Sequence, residues 1–331
     1  MARAIWLVAI VGCSSSHSGA TGDAGGIIIP DASHDAGSGS TVMFDPGSAC
    51  PPETTPIEQY MLPVVAPPAG VEFLTDWSKN STSGGWYGEQ IMDHCRIAGA
   101  VQTTWHGMAT ARVEVDPGDD PLVLHENSER AEMAFVQNGS GAQINEEVVG
   151  GDQFYAFSYW FPPTWAATQL PYSDIEAHDS INCDTGDQTQ CNSWSYVMQL
   201  HTDTAYWGSI GAAARMTGGA QQFWLTLGSN YELSDGGAIP LGKWTDLVLE
   251  INWSSGAIAM WRRDEGSAAF TQVVSATEPT VTSVTGVYLK QGLYRGGYVK
   301  GRTDAFLVGP TARAPSFAAA EMAAFGTSAG P

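Results

Sequence analysis

The chain has 331 residues, 43% of them hydrophobic and only 15% charged, with a formal net charge of −21. That length suits one large all-β domain or two ordinary ones, and the acidity argues against nucleic acid or an anionic membrane as a partner. The 38 Gly, 18 Pro and 12 Trp predict many turns and few long helices.

Arg3 precedes a short apolar run, Ala4 to Val11, which is too short to span a bilayer. The run ends Ile10-Val11-Gly12-Cys13. This resembles the lipobox of bacterial lipoproteins, which implies a signal peptide over residues 1–13 and lipidation at Cys13. The alternative is an ordinary signal peptide that contains a cysteine. Either way export is expected, as a lipoprotein of the outer membrane or cell surface or as a secreted protein, with a membrane contact only through the lipid. Residues 14–67 are rich in Gly, Ala, Ser, Asp and Pro and read as a flexible tether.

From residue 68 to 317 short strand-like runs alternate with Gly, Pro, Asn and Asp. They are Ala109–Val115, Arg130–Val136, Phe154–Phe161, Ser195–His201, Gln222–Leu227, Trp244–Trp253, Ala257–Arg262 and Val284–Leu289. The spacing predicts an all-β, concanavalin-like antiparallel sandwich or jelly roll, without β-α-β units. Pro315 to Phe325 is a short Ala-rich helical pattern, and residues 318–331 form a C-terminal tail.

Apart from Cys13, four cysteines remain, an even number that suggests disulfides in an exported chain. Cys183 and Cys191 flank a short polar loop and are expected to pair; Cys50 with Cys95 follows by elimination. A zinc site is disfavoured, because no His stands at ligand spacing from a Cys pair. Asp174, Glu176, Asp179, Asp184 and Asp187 make an acidic stretch that is either solvated or holds a structural Ca²⁺.

Four segments carry polar residues that a plain sandwich does not need. Arg112 and Glu114 share a strand face, as do Arg130 and Glu132; either pair reads equally well as a surface salt bridge. In the stretch from Tyr196 to His201, Gln199 and His201 fall on one face, with Met198 and Leu200 on the other. In the stretch from Val287 to Arg295, Tyr288 and Lys290 share a face. Gly292 then permits a bulge or a close backbone approach, leaving the phase beyond it open.

In this order the segments resemble the jelly-roll polysaccharide lyases: alginate lyases, glucuronan lyases (polysaccharide lyase family 20) and heparin-lyase-like enzymes. The matching motifs are Arg130-Ala131-Glu132, Gln199-Leu200-His201 and Tyr288-Leu289-Lys290-Gln291-Gly292-Leu293-Tyr294. Phe154 to Pro163, Leu241 to Asp246 and Glu250 to Ser254 look like the glucuronan and heparin-lyase-like branch. Ala134 and Arg295-Gly296 depart from the alginate-specific pattern.

The resemblance implies β-elimination on a 1,4-linked polyuronate, glucuronan-like or alginate-like, with no cofactor required and a monomeric protein. Arg130 and Gln199 would neutralise the substrate carboxylate. Tyr294 would be the acid and, for syn elimination, also the base; His201 would be the base for anti elimination. Lys290, Tyr288, Glu132, Arg112 and Arg295 would bind substrate. A basic cleft on an acidic protein is feasible, since Lys290, Arg295, Lys300 and Arg302 cluster while no Lys or Arg lies between Arg130 and Arg215. The rival readings are a non-catalytic carbohydrate-binding sandwich and a glycoside hydrolase of the same fold, which needs two flanking carboxylates.

Overall fold

A computed structural model describes residues 57–60, 68–78, 86, 88–122, 128–135, 146–147, 151–165, 195–202, 210–217, 220–227, 231–278, 286–296 and 303–326. In chain order the strands are β1 (Ile57–Tyr60), β2 (Phe73–Leu74), β3 (Gly88–Ile91), β4 (Ile97–Trp105), β5 (Met108–Val115), β6 (Ser128–Phe135), β7 (Glu146–Glu147), β8 (Asp152–Trp160) and β9 (Ser195–Thr202). They continue with β10 (Ile210–Thr217), β11 (Ala220–Leu227), β12 (Tyr231–Ala238), β13 (Trp244–Asn252), β14 (Ala257–Asp264), β15 (Thr271–Thr277), β16 (Gly286–Gly296), β17 (Asp304–Val308) and β18 (Ala312–Ala314). One α-helix, α1 (Phe317–Phe325), follows.

The strands form two antiparallel sheets. The first runs β1-β3-β6-β16-β9-β10-β11-β12, with β7 also paired to β16. The second runs β15-β14-β13-β8-β17-β5-β4, with β18 joining β8 and β2. This is the antiparallel jelly-roll sandwich that the strand spacing predicts. Sequence-distant strands become neighbours, so β16 lies in mid-sheet between β6 and β9.

Strand β8 shows why the chain folds this way. Tyr155, Phe157 and Tyr159 point between the sheets into the main core, while Ala156 and Trp160 belong to two smaller apolar clusters on the outer face of the second sheet. Both faces are covered, so the strand reads as an almost unbroken apolar run rather than an alternation. Each fully buried aromatic contributes about 1.5–3 kcal/mol. The phenols are satisfied inside: Tyr155 donates to Gln153, and Tyr159 donates to the Val197 carbonyl at 3.0 Å.

The outer face of the second sheet is covered by α1, whose Phe317, Ala320, Ala324 and Phe325 pack on Ala156, Val248 and Phe270. Ser316 caps the helix by accepting from the Ala319 N–H, and Gly326 ends it in the left-handed conformation at φ 65°. Two boundaries therefore move. The packing of α1 carries the folded unit past residue 317 to Gly326, and the pairing of Ile57–Tyr60 with β3 brings its start into the stretch expected to be tether. Among the described residues no helix is long and apolar enough to cross a membrane.

Candidate active site

The outer face of the first sheet, turned away from the inter-sheet core, gathers most of the expected residues. On β6, Ala131 and Met133 point inward to the core, leaving Arg130 and Glu132 on the outer face. On β16, Leu289 and Leu293 point inward, and Tyr288, Lys290 and Tyr294 share the outer face. The alternation therefore continues through Gly292.

Gly292 is the reason β6 and β16 can pair so closely here. It adopts φ 150°, and a Cβ on it would lie 2.0 Å from the Ala131 carbonyl oxygen. Both possibilities left open for this glycine occur together: the backbones approach closely, and the pairing with β9 shifts register between Gln291 and Tyr294. Beneath this point Gln291 is a polar pillar between the sheets, accepting from Thr311 Oγ1 at 2.7 Å.

The strand pairings set two rows across the face. Tyr294 is opposite Arg130 on one side, and Lys290 is opposite Gln199 on the other. The Arg130 guanidinium lies 4.0 Å from the centroid of the Tyr294 ring. Lys290 Nζ donates to Gln90 Oε1 at 2.6 Å and stands 3.3 Å from Glu132 Oε2, which is 3.6 Å from an Arg130 nitrogen. Lys290 can reach back across β6 because its neighbours there are small: Ala134 is opposite it, and Gly88 is opposite Ala134.

Arg130, Glu132, Gln199, Lys290 and Tyr294 are all 2–4% exposed. Polar groups held in so dry a place interact more strongly than in water, and the two cations require Glu132 nearby to offset the cost of burial. The turn at Gly118 and Asp119 fixes the start of β6 beside Arg130. The Arg130 N–H donates to the Asp119 carbonyl at 2.8 Å, while the neighbouring Glu129 carboxylate accepts from the Gly118 N–H at 2.6 Å. The Asp119 carboxylate in turn holds Arg96 at 2.8 Å; burial, foremost, raises the pKa of Asp119.

Two expected substrate-binding residues belong elsewhere. Arg112 lies on β5 in the second sheet, where its neighbours Ala111 and Val113 take the core side and Arg112 pairs with Glu114, itself buried and bound to Arg96 at 2.8 Å. Arg295 is one residue beyond Tyr294 and so points between the sheets. It is fully buried and joins Glu129 at 2.7 Å to Asp304 at 2.6 Å, linking β6 of one sheet to β17 of the other. Neither can touch a substrate held over Tyr294. Trp105 and Trp165 are committed to packing: Trp105 stacks on Trp244 and donates to Asp246, and Trp165 packs in the core against Phe161.

His201 is placed by its backbone, which pairs with Tyr288 at the far end of the same face; its side chain lies outside the described residues, as do Cys13, Cys50, Cys183, Cys191 and the acidic stretch from Asp174. Cys95 is disulfide-bonded, and its partner is outside the described residues. Among the described residues no group of three or more His, Cys, Asp or Glu is placed to hold a metal. Sequence reading missed Gln90 and Tyr196. Gln90 gives no signal, since its strand is four residues long and lies in a polar, Gly-rich stretch.

Mid-sheet strand β16 thus presents Tyr294 and Lys290, beside the stacked Arg130 of β6, on one dry polar face. The profile described as Polysaccharide lyase matches residues 75–307, well over half of the chain, and the chain belongs to that family. No curated protein matches it. Similar solved structures include the catalytic domain of a glycoside hydrolase family 131 β-glucanase from Podospora anserina, at 11% identity and a TM-score of 0.39, covering 78% of this chain and 85% of that one. The family 131 catalytic domain from Coprinopsis cinerea has 10% identity and a TM-score of 0.40, covering 78% and 84%. Peanut lectin has 6% identity and a TM-score of 0.36, covering 78% and 98%.

Proposed function

We propose that the protein cleaves a 1,4-linked polyuronate, glucuronan-like or alginate-like, by β-elimination. The observation that carries this reading is the meeting of Arg130, Tyr294, Gln199 and Lys290 on one nearly water-free face. Arg130 and Lys290 stand beside Glu132 on that face and bring guanidinium and ammonium groups to where a substrate carboxylate would lie.

The reaction takes the proton from C5, beside the carboxylate. The C–H electron pair becomes the C4–C5 double bond, the C4–O bond breaks, and the leaving oxygen takes a proton. Arg130 and Gln199 would hold the carboxylate as negative charge builds on it; a guanidinium gives two parallel donors and an amide gives a third. Tyr294 would supply the proton to the leaving oxygen and, in syn elimination, first remove the C5 proton. The guanidinium stacked on its ring sets a cation beside the phenol. In anti elimination His201 would take the C5 proton. Glu132 and Gln90 hold the Lys290 ammonium and act through it. No step requires a metal or cofactor.

The protein would work outside the cytosol as a monomer on an anionic polysaccharide, anchored through Cys13 or secreted, with Cys50–Cys95 and Cys183–Cys191 as disulfides. The test is to mix the protein with glucuronan, alginate blocks, heparin-type chains and pectate and to follow the ultraviolet absorbance of a conjugated uronate double bond. A rise with one unsulfated polyuronate supports the reading. Binding without a rise would make the protein a carbohydrate-binding module instead.

A further inference from the structure

Strict alternation along β9 would put Tyr196 with Met198 and Leu200 in the core. The fold does otherwise. Val197 and Met198 are consecutive, yet both are buried in the inter-sheet core. The pairing of β9 shifts register at this point against both neighbours, β10 and β16. The bulge turns Tyr196 out onto the face that carries Gln199, three residues later, and sets it opposite Tyr294.

Tyr294 thus stands in the middle of a row of three strands, Arg130–Tyr294–Tyr196. Its ring has the Arg130 guanidinium at 4.0 Å on the β6 flank and the half-buried Tyr196 ring on the β9 flank, stacked at 6.4 Å with 29° between the planes. A phenol that must both reach a proton and return it needs a fixed direction, because small misplacements of a reacting group cost rate steeply. The geometry points to Tyr196 as a positioning residue: the bulge in β9 supplies a second wall that, with Arg130, fixes the ring of Tyr294. This rests on the lyase reading given above. The wall is the ring, so its hydroxyl has no part in the task.

Two variants separate the possibilities. Tyr196→Phe keeps kcat and KM within about twofold, while Tyr196→Leu lowers kcat about three- to tenfold with KM nearly unchanged, the scale of one lost aromatic contact. Equal losses in both variants, or a change confined to KM, would overturn the assignment, because the hydroxyl or a sugar contact would then be the working part. A readout independent of turnover is nitration of Tyr294 by tetranitromethane, located by peptide mass. It is faster in Tyr196→Leu than in wild type and unchanged in Tyr196→Phe. Equal rates in all three proteins would sink the positioning role even if the enzyme is a lyase. If the wild type makes no unsaturated product, the lyase reading fails, and the nitration rates still decide whether Tyr196 restrains Tyr294.

Discussion

Arg130 and Tyr294 are opposite each other across β6 and β16, and the guanidinium of one lies 4.0 Å from the ring centroid of the other. The pair couples the two demands of the proposed chemistry: a cation for the substrate carboxylate, and a phenol beside it to move the proton. Neither residue is exposed by more than 4%, so their interaction is weakly screened.

Tyr294→Phe removes the proton carrier while preserving the ring and its stacking on Arg130. Turnover on the preferred polyuronate should fall by about 10²–10⁴-fold, the usual worth of a general acid–base group, with the thermal midpoint little changed. Retained turnover would take the hydroxyl out of the reaction.

Arg130→Lys keeps the charge and loses the planar fork and the stack. The expected fall in kcat/KM is about 10²–10³-fold, expressed mainly in kcat, because the carboxylate gains charge chiefly as the proton leaves. By contrast Arg112→Ala, on the other sheet, should leave kcat/KM within about twofold.

Arg295→Met distinguishes architecture from chemistry. It strands Glu129 and Asp304 without their shared cation and should cost about 3–5 kcal/mol, seen as a lower urea midpoint. Activity per folded molecule should survive at a temperature where the variant remains folded.

The folded frame was largely legible in the sequence, and most of the chemical face was too. Short runs such as Trp244–Trp253 and Phe154–Phe161 fall within or alongside β13 and β8, because apolar strands bounded by turn residues signal themselves locally. Arg130, Glu132, Gln199, Lys290 and Tyr294 share a face because alternation is a local property of a strand. What was hidden depends on partners. Arg112-Val113-Glu114 and Arg130-Ala131-Glu132 have the same local pattern, and only strand order assigns one to each sheet. Arg295 was misplaced because the strand phase after Gly292 was open. The continued alternation buries it, and Asp304 across the sandwich receives it. Tyr196 was lost to a bulge that alternation cannot foresee, and Gln90 reaches Lys290 across 200 residues of sequence.

Gly292→Ala tests the close approach of β6 and β16. With a Cβ 2.0 Å from the Ala131 oxygen and 2.7 Å from the Glu132 Cα, backbone must shift. A loss of about 3 kcal/mol or more is expected, lowering the thermal midpoint on the order of 10 °C, together with lost turnover, since the shift moves Glu132 and its neighbours.

Acid stability has a nameable source in Asp246. Burial alone would raise its pKa, but His106 at 2.8 Å, the Trp105 indole and Arg263 outweigh that and bring it below the ordinary 3.8. A depressed carboxylate contributes stability that is fully present above its unfolded value and is lost as pH falls through the folded one. The urea midpoint of the wild type should therefore decline as pH drops below about 4. In Asp246→Asn that decline should be shallower, starting from a lower plateau; parallel curves would remove Asp246 as the cause.

Digestion in ¹⁸O-labelled water distinguishes elimination from hydrolysis. Elimination gives oligosaccharides whose new non-reducing end is lighter by one water than a hydrolytic product, with no solvent oxygen added in the cleavage. Fragments that carry one ¹⁸O per cleavage and lack the double bond would contradict it and make the protein a hydrolase.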